Sequence, residues 1–277
     1  MIMRFPGGLR KALTLSYDDG VEQDIELVRI LGAHGIRATF NINSGLFAKE
    51  GTVYPAGQIH RRMPLSAAKA LYKDSAHEVA VHALTHPDLT GLPAGMVTRE
   101  VLLDRENLER EFGGIIRGMA YPFGTYNDEV VACLRSCGVA YCRTVQSTRR
   151  FDIPQQWLTL HPTCHHNDPQ LMQLCDAFLR DEANWNSKLF YLWGHSYEFE
   201  SDDNWDVIRA FCEKMGGHQD VWYATNMEIV DYVNAYRSLL ASADGRRLYN
   251  PTALRIWAED DGGVFSIGPG ETVLLEE

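Results

Sequence analysis

Two adjacent carboxylates end the first strongly apolar stretch of this 277-residue sequence. Residues 14–17 alternate apolar and polar side chains, which predicts a strand, and Asp18, Asp19 and Gly20 follow directly. Carboxylates are unfavourable in strands, so a pair at a strand end indicates a chemical role more than a contribution to stability. Gly20 permits a sharp turn and a close backbone approach beside them. Taken alone the stretch is a weak signal, because Asp-Asp-Gly is also common in turns and helix caps.

Two histidines follow another apolar stretch, residues 78–81, which also predicts a strand. His82 and His86 flank a short loop there. The carboxylate of Asp19 and the two imidazoles would form a suitable set of ligands for a catalytic ion such as zinc, which keeps one position open for water. The alternative is a capping aspartate with two surface histidines.

The order of the motifs resembles that of the polysaccharide deacetylases, the NodB-like enzymes of carbohydrate esterase family four. Residues 14–20 resemble the first motif of that family, and residues 82–89 resemble the second. The Tyr-Pro-Phe-Gly sequence at 121–124 is similar to the third motif, and residues 192–195 are similar to the last. The matches keep the order of the family over residues 12–195, which is far more specific than any one of them.

This resemblance implies a metal-dependent hydrolase that removes an N- or O-linked acetyl group from a carbohydrate by attack of metal-bound water. Asp19, His82 and His86 would hold one divalent ion, zinc by default, although other first-row ions suit the same ligands. Asp18 would be the general base, because a divalent ion lowers the pKa of bound water toward about 7. A mere turn cap is the alternative for Asp18.

Two further residues complete the machinery that the resemblance implies. The backbone amide of Phe123 would hydrogen-bond the oxyanion of the tetrahedral intermediate. His195 would act as general acid toward the leaving amine or alcohol, since an imidazole titrates near neutrality. The alternative for His195 is a core histidine with satisfied hydrogen bonds.

The sequence departs from the family pattern in two places. Ala83 stands where a serine or threonine usually supports the histidine loop, so the hydrogen bonding of that loop is left open. Ala120 occupies the position of an arginine that usually pairs with the base. Arg143, on the next predicted strand, is the candidate replacement, with an ordinary surface or interface arginine as the alternative. Asp152 is the candidate acidic partner of His195.

Several more side chains are candidates for contacts with substrate. Aromatic residues offer stacking surfaces for a sugar ring, although each is more often part of a core; these are Tyr126, Trp157, Trp193 and Tyr197. Glu198 is a candidate contact for substrate hydroxyls, or a solvated charge. The histidine-rich residues 161–166 form either a second metal site or polar residues of a cleft loop.

Strands that alternate with helices predict a parallel sheet with helices outside it. About seven such units, with polar residues after the strands, indicate a barrel whose site lies at the carboxyl ends of the strands. The resemblance implies the distorted (β/α) barrel of the family. We assign residues 1–242 to this barrel. Short strands with Gly-Gly and Pro-Gly turns predict that residues 243–277 form a small β appendage packed on the barrel.

The composition of the chain limits the binding partners and the cellular location that we expect. The formal net charge of −11 argues against nucleic acid or an anionic membrane surface as partner, and favours a neutral acetylated saccharide as substrate. No apolar run reaches the roughly 20 residues that span a membrane, and no signal peptide is seen, so we expect a cytoplasmic protein. The six cysteines predict buried free thiols rather than disulfides. The sequence does not predict the oligomeric state.

Two other functions stay open at this point. Barrels that resemble this one also hydrolyse cyclic amides such as ureides and imides, and the alanine at position 120 makes that alternative credible. A barrel that has lost catalysis and binds a saccharide or a partner protein is the second alternative. The complete set of candidate catalytic and ligand residues weighs against it.

Overall fold

A parallel sheet organises the chain in the computed structural model, which describes residues 1–275. The strands are β1 (Ile2–Arg4), β2 (Lys11–Asp18), β3 (Thr39–Ile42), β4 (Glu78–Val81), β5 (Gly118–Ala120), β6 (Tyr141–Arg143), β7 (Cys164–His165), β8 (Lys188–Gly194), β9 (Val221–Tyr223), β10 (Leu240–Ala241), β11 (Arg247–Tyr249), β12 (Ile256–Asp260), β13 (Gly263–Ile267) and β14 (Thr272–Leu274). The helices are α1 (Asp24–Ala33), α2 (Leu65–Tyr72), α3 (Ala94–Phe112), α4 (Asp128–Ser136), α5 (Leu171–Arg180), α6 (Ser196–Ser201), α7 (Trp205–Met215) and α8 (Asn226–Arg237).

The central sheet has the strand order β6-β5-β4-β3-β2-β8-β7, and all its pairings are parallel. Strand β2 lies in the middle and is buried along its whole length, as expected of a strand covered on both faces. It pairs with β8 throughout, with β3 at its carboxyl end and with β9 at its amino end. The predicted parallel sheet with helices outside it is confirmed.

The sheet curls back on itself through the chain between β6 and β8. Leu160 exchanges backbone hydrogen bonds of 2.9 Å with Cys142 and Thr144, next to the edge strand β6. Thr163 donates to the carbonyl of Tyr191 on β8 at 2.8 Å. This segment therefore lies between the two edges, and the result is the predicted distorted barrel.

Parallel strands place their carboxyl ends on one rim, which is where sites form in such folds. Asp18 is the last residue of β2, His82 follows β4 directly, and His195 follows β8 directly. Ala120 and Arg143 end β5 and β6 as partners in register. The candidate residues thus meet because the strands that carry them run in the same direction.

The C-terminal region forms two small antiparallel sheets, β1-β12-β13 and β10-β11-β14. The short strands predicted after residue 242 exist, with β12 three residues later than expected. Both sheets also recruit strands from before that boundary, since β1 pairs with β12 and β10 pairs with β11. The division at residue 242 remains a prediction, and residues 276 and 277 of the predicted appendage lie outside the described residues.

Two further sequence expectations concern cysteines and membranes. All six cysteines are buried and unpaired, as predicted. Among residues 1–275, no helix has the length and apolarity needed to cross a bilayer.

Arg4 links the sheet β1-β12-β13 to the chain just before β8 and offers a test of this arrangement. Its side chain is fully buried, pairs with Glu259 on β12, and donates to the carbonyls of Ala183 and Asn184 at 3.0 Å. We expect Arg4→Met to lower the free energy of unfolding by about 3 kcal/mol, because it leaves the two buried carbonyls without their donor and leaves Glu259 with Arg10 alone. Urea denaturation checks this. Arg29→Met, which removes an exposed helix ion pair, is the control and should change little; equal effects would contradict the assignment.

Candidate metal and acid–base centre

Asp19, His82 and His86 form a compact group on the barrel rim. The Oδ1 atom of Asp19 lies 4.0 Å from His82 Nε2 and 3.9 Å from His86 Nε2. One carboxylate and two imidazoles suit a first-row divalent ion, and bonds of about 2 Å separate ligand atoms by roughly 3 to 4 Å. The predicted ligand residues therefore fit such an ion in both chemistry and spacing.

The ring of His82 is held in the orientation that a metal ligand needs. Its Nδ1 lies 2.8 Å from the carbonyl oxygen of Ala120, so Nδ1 carries the hydrogen and Nε2 turns its lone pair toward Asp19. Burial lowers the pKa of His82 to about 4, which keeps the ring neutral. Burial also lowers the pKa of His86.

The backbone around this group is strained. Asp19, Ala83 and His86 have φ angles of +87°, +61° and +56°, in the left-handed region that non-glycine residues seldom adopt. Such strain persists only where surrounding contacts impose it, and it concentrates at functional sites.

Polar residues from neighbouring elements impose that conformation on the histidine loop. Asn43 donates to the carbonyl of Ala83 at 2.7 Å. On α3, Asp104 accepts from the His82 amide at 3.0 Å, and Glu100 accepts from the Thr85 amide at 2.8 Å. These contacts hold the loop by its backbone, so the hydroxyl that Ala83 lacks is not needed for support.

Asp18 and Arg143 form a buried ion pair beside the three ligand residues. Both side chains are almost inaccessible, and Arg143 Nη2 contacts Asp18 Oδ2. Asn41 donates to the other carboxylate oxygen at 2.8 Å. Burial alone would raise the pKa of Asp18, but Arg143 and the neighbouring histidines hold it below its ordinary value. Asp18 is therefore ionised at neutral pH.

Arg143 stands where the sequence predicts a replacement for the arginine missing at position 120. Strands β5 and β6 place Ala120 and Arg143 side by side in register, so an arginine from the neighbouring strand reaches Asp18. Its guanidinium also donates to Ser16 Oγ at 3.2 Å and lies 4.4 Å from the ring centre of Trp193.

The imidazole of His195 lies close to the carboxylate of Asp18. Its Nε2 lies 3.7 Å from Asp18 Oδ2, and its Nδ1 lies 3.3 Å from Glu198 Oε1. Burial would lower the pKa of His195, but Glu198 and Asp18 together raise it above the ordinary value. The site thus combines an ionised carboxylate with a histidine that is readily protonated.

The acidic partner predicted for His195 is wrong. Asp152 is more than half exposed and pairs with Arg150 at 2.6 Å on the surface. Glu198 takes that place, since α6 begins directly after His195 and a helix brings the residue three positions later back to its own start. The spacing of Glu198 from His195 is the sequence signal that would have identified it.

The predicted aromatic residues have different surroundings. Trp157 packs against α8, where its Nε1 donates to Asn234 at 2.8 Å, so its contacts are not with the site. Trp193 is buried against the guanidinium of Arg143. Its ring therefore packs against the site and does not offer a stacking surface to a sugar. Tyr126 is partly exposed and stacks on Tyr121, at a ring distance of 5.2 Å, in the loop of the third motif.

Phe123 belongs to the rim. Its backbone has φ of +58°, its side chain is 63% exposed, and its ring lies edge-on to His86 at 4.6 Å. A side chain at Gly124 would collide with Val145, which explains the glycine that follows. The loop therefore turns tightly next to the group of ligand residues.

Residues 48–64, an irregular stretch without a motif, supply contacts that the sequence did not identify. Arg62 Nη2 donates to Asp19 Oδ1 at 2.9 Å, and His60 Nε2 lies 3.2 Å from Asp19 Oδ2. The ring of His60 also contacts Tyr197, at a centroid distance of 4.9 Å. No periodicity or spacing in that stretch links it to Asp19.

Part of this chain is similar to known sequences. Residues 7–142 match the family model described as polysaccharide deacetylase. A chitooligosaccharide deacetylase from Sinorhizobium fredii is 30% identical over 129 residues, which cover 46% of this chain and 53% of that protein. One from Rhizobium leguminosarum bv. phaseoli is 27% identical over 131 residues, covering 46% and 51%. The chain thus spans about half the length of these curated relatives.

Solved structures support the fold. A family 4 carbohydrate esterase from Streptomyces lividans, in complex with acetate, superimposes with a TM-score of 0.51 at 17% identity, covering 77% of this chain and 92% of that one. A Mycobacterium smegmatis chain ascribed to the polysaccharide deacetylases gives a TM-score of 0.57 at 16% identity, covering 86% and 95%. The likeness extends over most of the barrel.

The ligand assignment predicts cation binding that depends on His86. We expect chelator-treated protein to bind one equivalent of Zn²⁺ in calorimetric titration, and His86→Ala to weaken that binding more than about 100-fold. Loss of a ligand should exceed the 10- to 100-fold cost of losing a supporting hydrogen bond. His77→Ala, which removes the histidine just before β4, is the matched control. Unchanged affinity in His86→Ala would refute the assignment.

Proposed function

This chain belongs to the polysaccharide deacetylase family through its residues 7–142, and on that premise we propose that it hydrolyses acetyl groups from a carbohydrate. One observation carries the proposal. One rim of the barrel brings together the candidate metal ligands, an ionised carboxylate and a histidine of raised pKa. Acyl hydrolysis needs these three groups: an electrophilic centre, a base and an acid.

Asp19, His82 and His86 would hold a divalent cation, whose chemistry there is to polarise the acetyl carbonyl and to make water a better nucleophile. Donor type and spacing support this assignment. The tautomer of His82, fixed by the Ala120 carbonyl, supports it as well. We propose zinc as the first ion to test, since borderline nitrogen and oxygen ligands suit it.

Asp18 acts as the general base and takes a proton from the attacking water. Arg143 keeps this carboxylate ionised and fixes its orientation. His195, on the other side of Asp18, donates a proton to the leaving nitrogen or oxygen. The amide of Phe123 hydrogen-bonds the oxyanion as the carbonyl carbon becomes tetrahedral.

The proposed substrate is a neutral saccharide with N-acetyl groups. The curated relatives are named for chitooligosaccharides, and the net charge of −11 disfavours polyanionic sugars. Exposed aromatic rings at the rim, from Phe123 and Tyr126, offer apolar surface to a sugar face.

Acetate release from N-acetylated chitooligosaccharides tests the function directly. We expect release to stop after chelation, to return with Zn²⁺, and to fall about 10²- to 10⁴-fold in Asp18→Asn, which keeps its shape but cannot accept the proton. Asp176→Asn, on α5 away from the site, is the control. No release from protein with bound metal would contradict deacetylation and direct the search to cyclic amides. No release and no metal would favour a binding protein.

The ion pair between Arg143 and Asp18 predicts a shift in pH dependence. Removing the guanidinium in Arg143→Met leaves burial to raise the pKa of Asp18, so the base becomes ionised only at higher pH. We expect the acidic limb of kcat/KM to move upward by about 1 to 3 pH units. Arg149→Met, which removes a surface ion pair, should leave the profile in place. An acidic limb unchanged in Arg143→Met would exclude Asp18 as the titrating base.

A further inference from the structure

Glu198 lies among three imidazoles at the start of α6. Its Oε2 atom is 3.0 Å from His165 Nε2 and 3.2 Å from His166 Nε2. Its Oε1 atom is 3.3 Å from His195 Nδ1. The carboxylate also accepts from the His195 amide at 3.1 Å. The catalytic acid is thus joined to two histidines with no assigned role.

The tautomer of His165 decides what this cluster is. Ligand atoms of His165, His195 and Glu198 lie within 4.8 Å of one another, close enough for a cation. However, the Asn167 amide donates to His165 Nδ1 at 3.1 Å, so in the neutral ring the hydrogen is on Nε2, where it faces Glu198. A protonated nitrogen cannot bind a metal. The cluster is therefore a set of close polar contacts between three imidazoles and one carboxylate.

The side chain of His166 is tightly packed beside Glu198. It is 1% exposed, and its ring stacks on Phe199 at a centroid distance of 4.1 Å. A Cβ atom on Gly194 would lie 2.0 Å from His166 Nδ1, so the ring fits only because that residue is glycine. With His166 fixed on one side, the orientation of Glu198 depends on the more accessible His165.

The ring of His165 is also linked, through Trp193, to the part of the site that contains Arg143 and Asp18. Its ring meets Trp193 edge-on at 4.5 Å, and Trp193 lies beneath the guanidinium of Arg143. Arg143 in turn binds Asp18. The His165 side chain thus adjoins the groups that position both the acid and the base, and its ring centre lies 6.4 Å from that of His195.

We propose that His165 is a positioning residue for this reaction, acting on His195 through Glu198 and on Arg143 through Trp193. The role rests on the proposed function, in which His195 and Asp18 are acid and base. Its polar contact with Oε2 of Glu198, at 3.0 Å, keeps Oε1 turned toward His195 Nδ1, and that second contact directs Nε2 of His195 into the cleft.

Two variants separate the hydrogen bond from the packing. His165→Phe keeps a ring against Trp193 but loses the donor, whereas His165→Gln keeps a donor but loses the ring. We expect His165→Phe to lower kcat about tenfold, as for other supporting hydrogen bonds, with KM changed less than about twofold. His165→Gln should recover most of the loss. His218→Phe, at a histidine outside the site whose ring Nε2 lies 2.9 Å from the Lys214 carbonyl oxygen, is the matched control.

Nitrogen-15 spectra of the zinc-loaded protein give a second measurement that needs no turnover. At a pH above the pKa of His195, its ring shifts should show one neutral tautomer, protonated at Nδ1, in the unsubstituted protein, and a mixture in His165→Phe. An unchanged kcat together with an unchanged tautomer would overturn the proposal. So would a second bound metal ion lost in His165→Phe, since His165 would then be a ligand. If the unsubstituted protein releases no acetate, the proposed function fails, and the spectra still decide whether His165 positions His195.

Discussion

The buried ion pair between Asp18 and Arg143 is the interaction on which the rest of the site depends. Removing two charges from water costs several kcal/mol per ion, and their attraction offsets this only when further hydrogen bonds satisfy the remaining atoms. Here Asn41 and Ser16 supply those bonds, and the face of Trp193 lies against the guanidinium. The ion pair therefore requires strands β2, β3, β6 and β8 to bring these side chains together. The barrel aligns the strands in that way.

Strain is the second cost of the site. Three non-glycine residues at the group of ligands, Asp19, Ala83 and His86, have positive φ. Each such residue costs on the order of 1 to 3 kcal/mol, which the surrounding structure must offset. Carboxylates on α3 and the amide of Asn43 do so by binding the loop backbone. Helix α3 thus stabilises the site although none of its side chains is a candidate ligand or catalytic group.

The sequence predicted those parts of the site that follow from strand direction. Asp18, Asp19, His82 and His195 end or follow buried parallel strands, so a parallel sheet alone brings them to one rim. Arg143 could be anticipated for the same reason, because neighbouring strands place it in register with Ala120.

The features that the sequence did not predict have different causes. The assignment of Asp152 failed because the segment between β6 and β7 lacks periodicity, so its path could not be read from the sequence. The pairing of β1 with β12 joins distant parts of the chain, and no local pattern specifies it. Glu198 was named as a site residue, but its role as the partner of His195 was missed, although its spacing on a short helix offered that signal.

The pairing of β2 with β8 has a consequence for the order in which the molecule assembles. The residues assigned to the cation lie within the first third of the chain, on strands that are sequential neighbours, whereas ring closure must wait for β8 to join β2. Contacts between distant segments form slowly because the intervening chain must first be ordered. During synthesis Asp19, His82 and His86 can therefore come together before His195 emerges from the ribosome. Assembly of these three residues and closure of the ring are then separate events, and the first does not wait for the second.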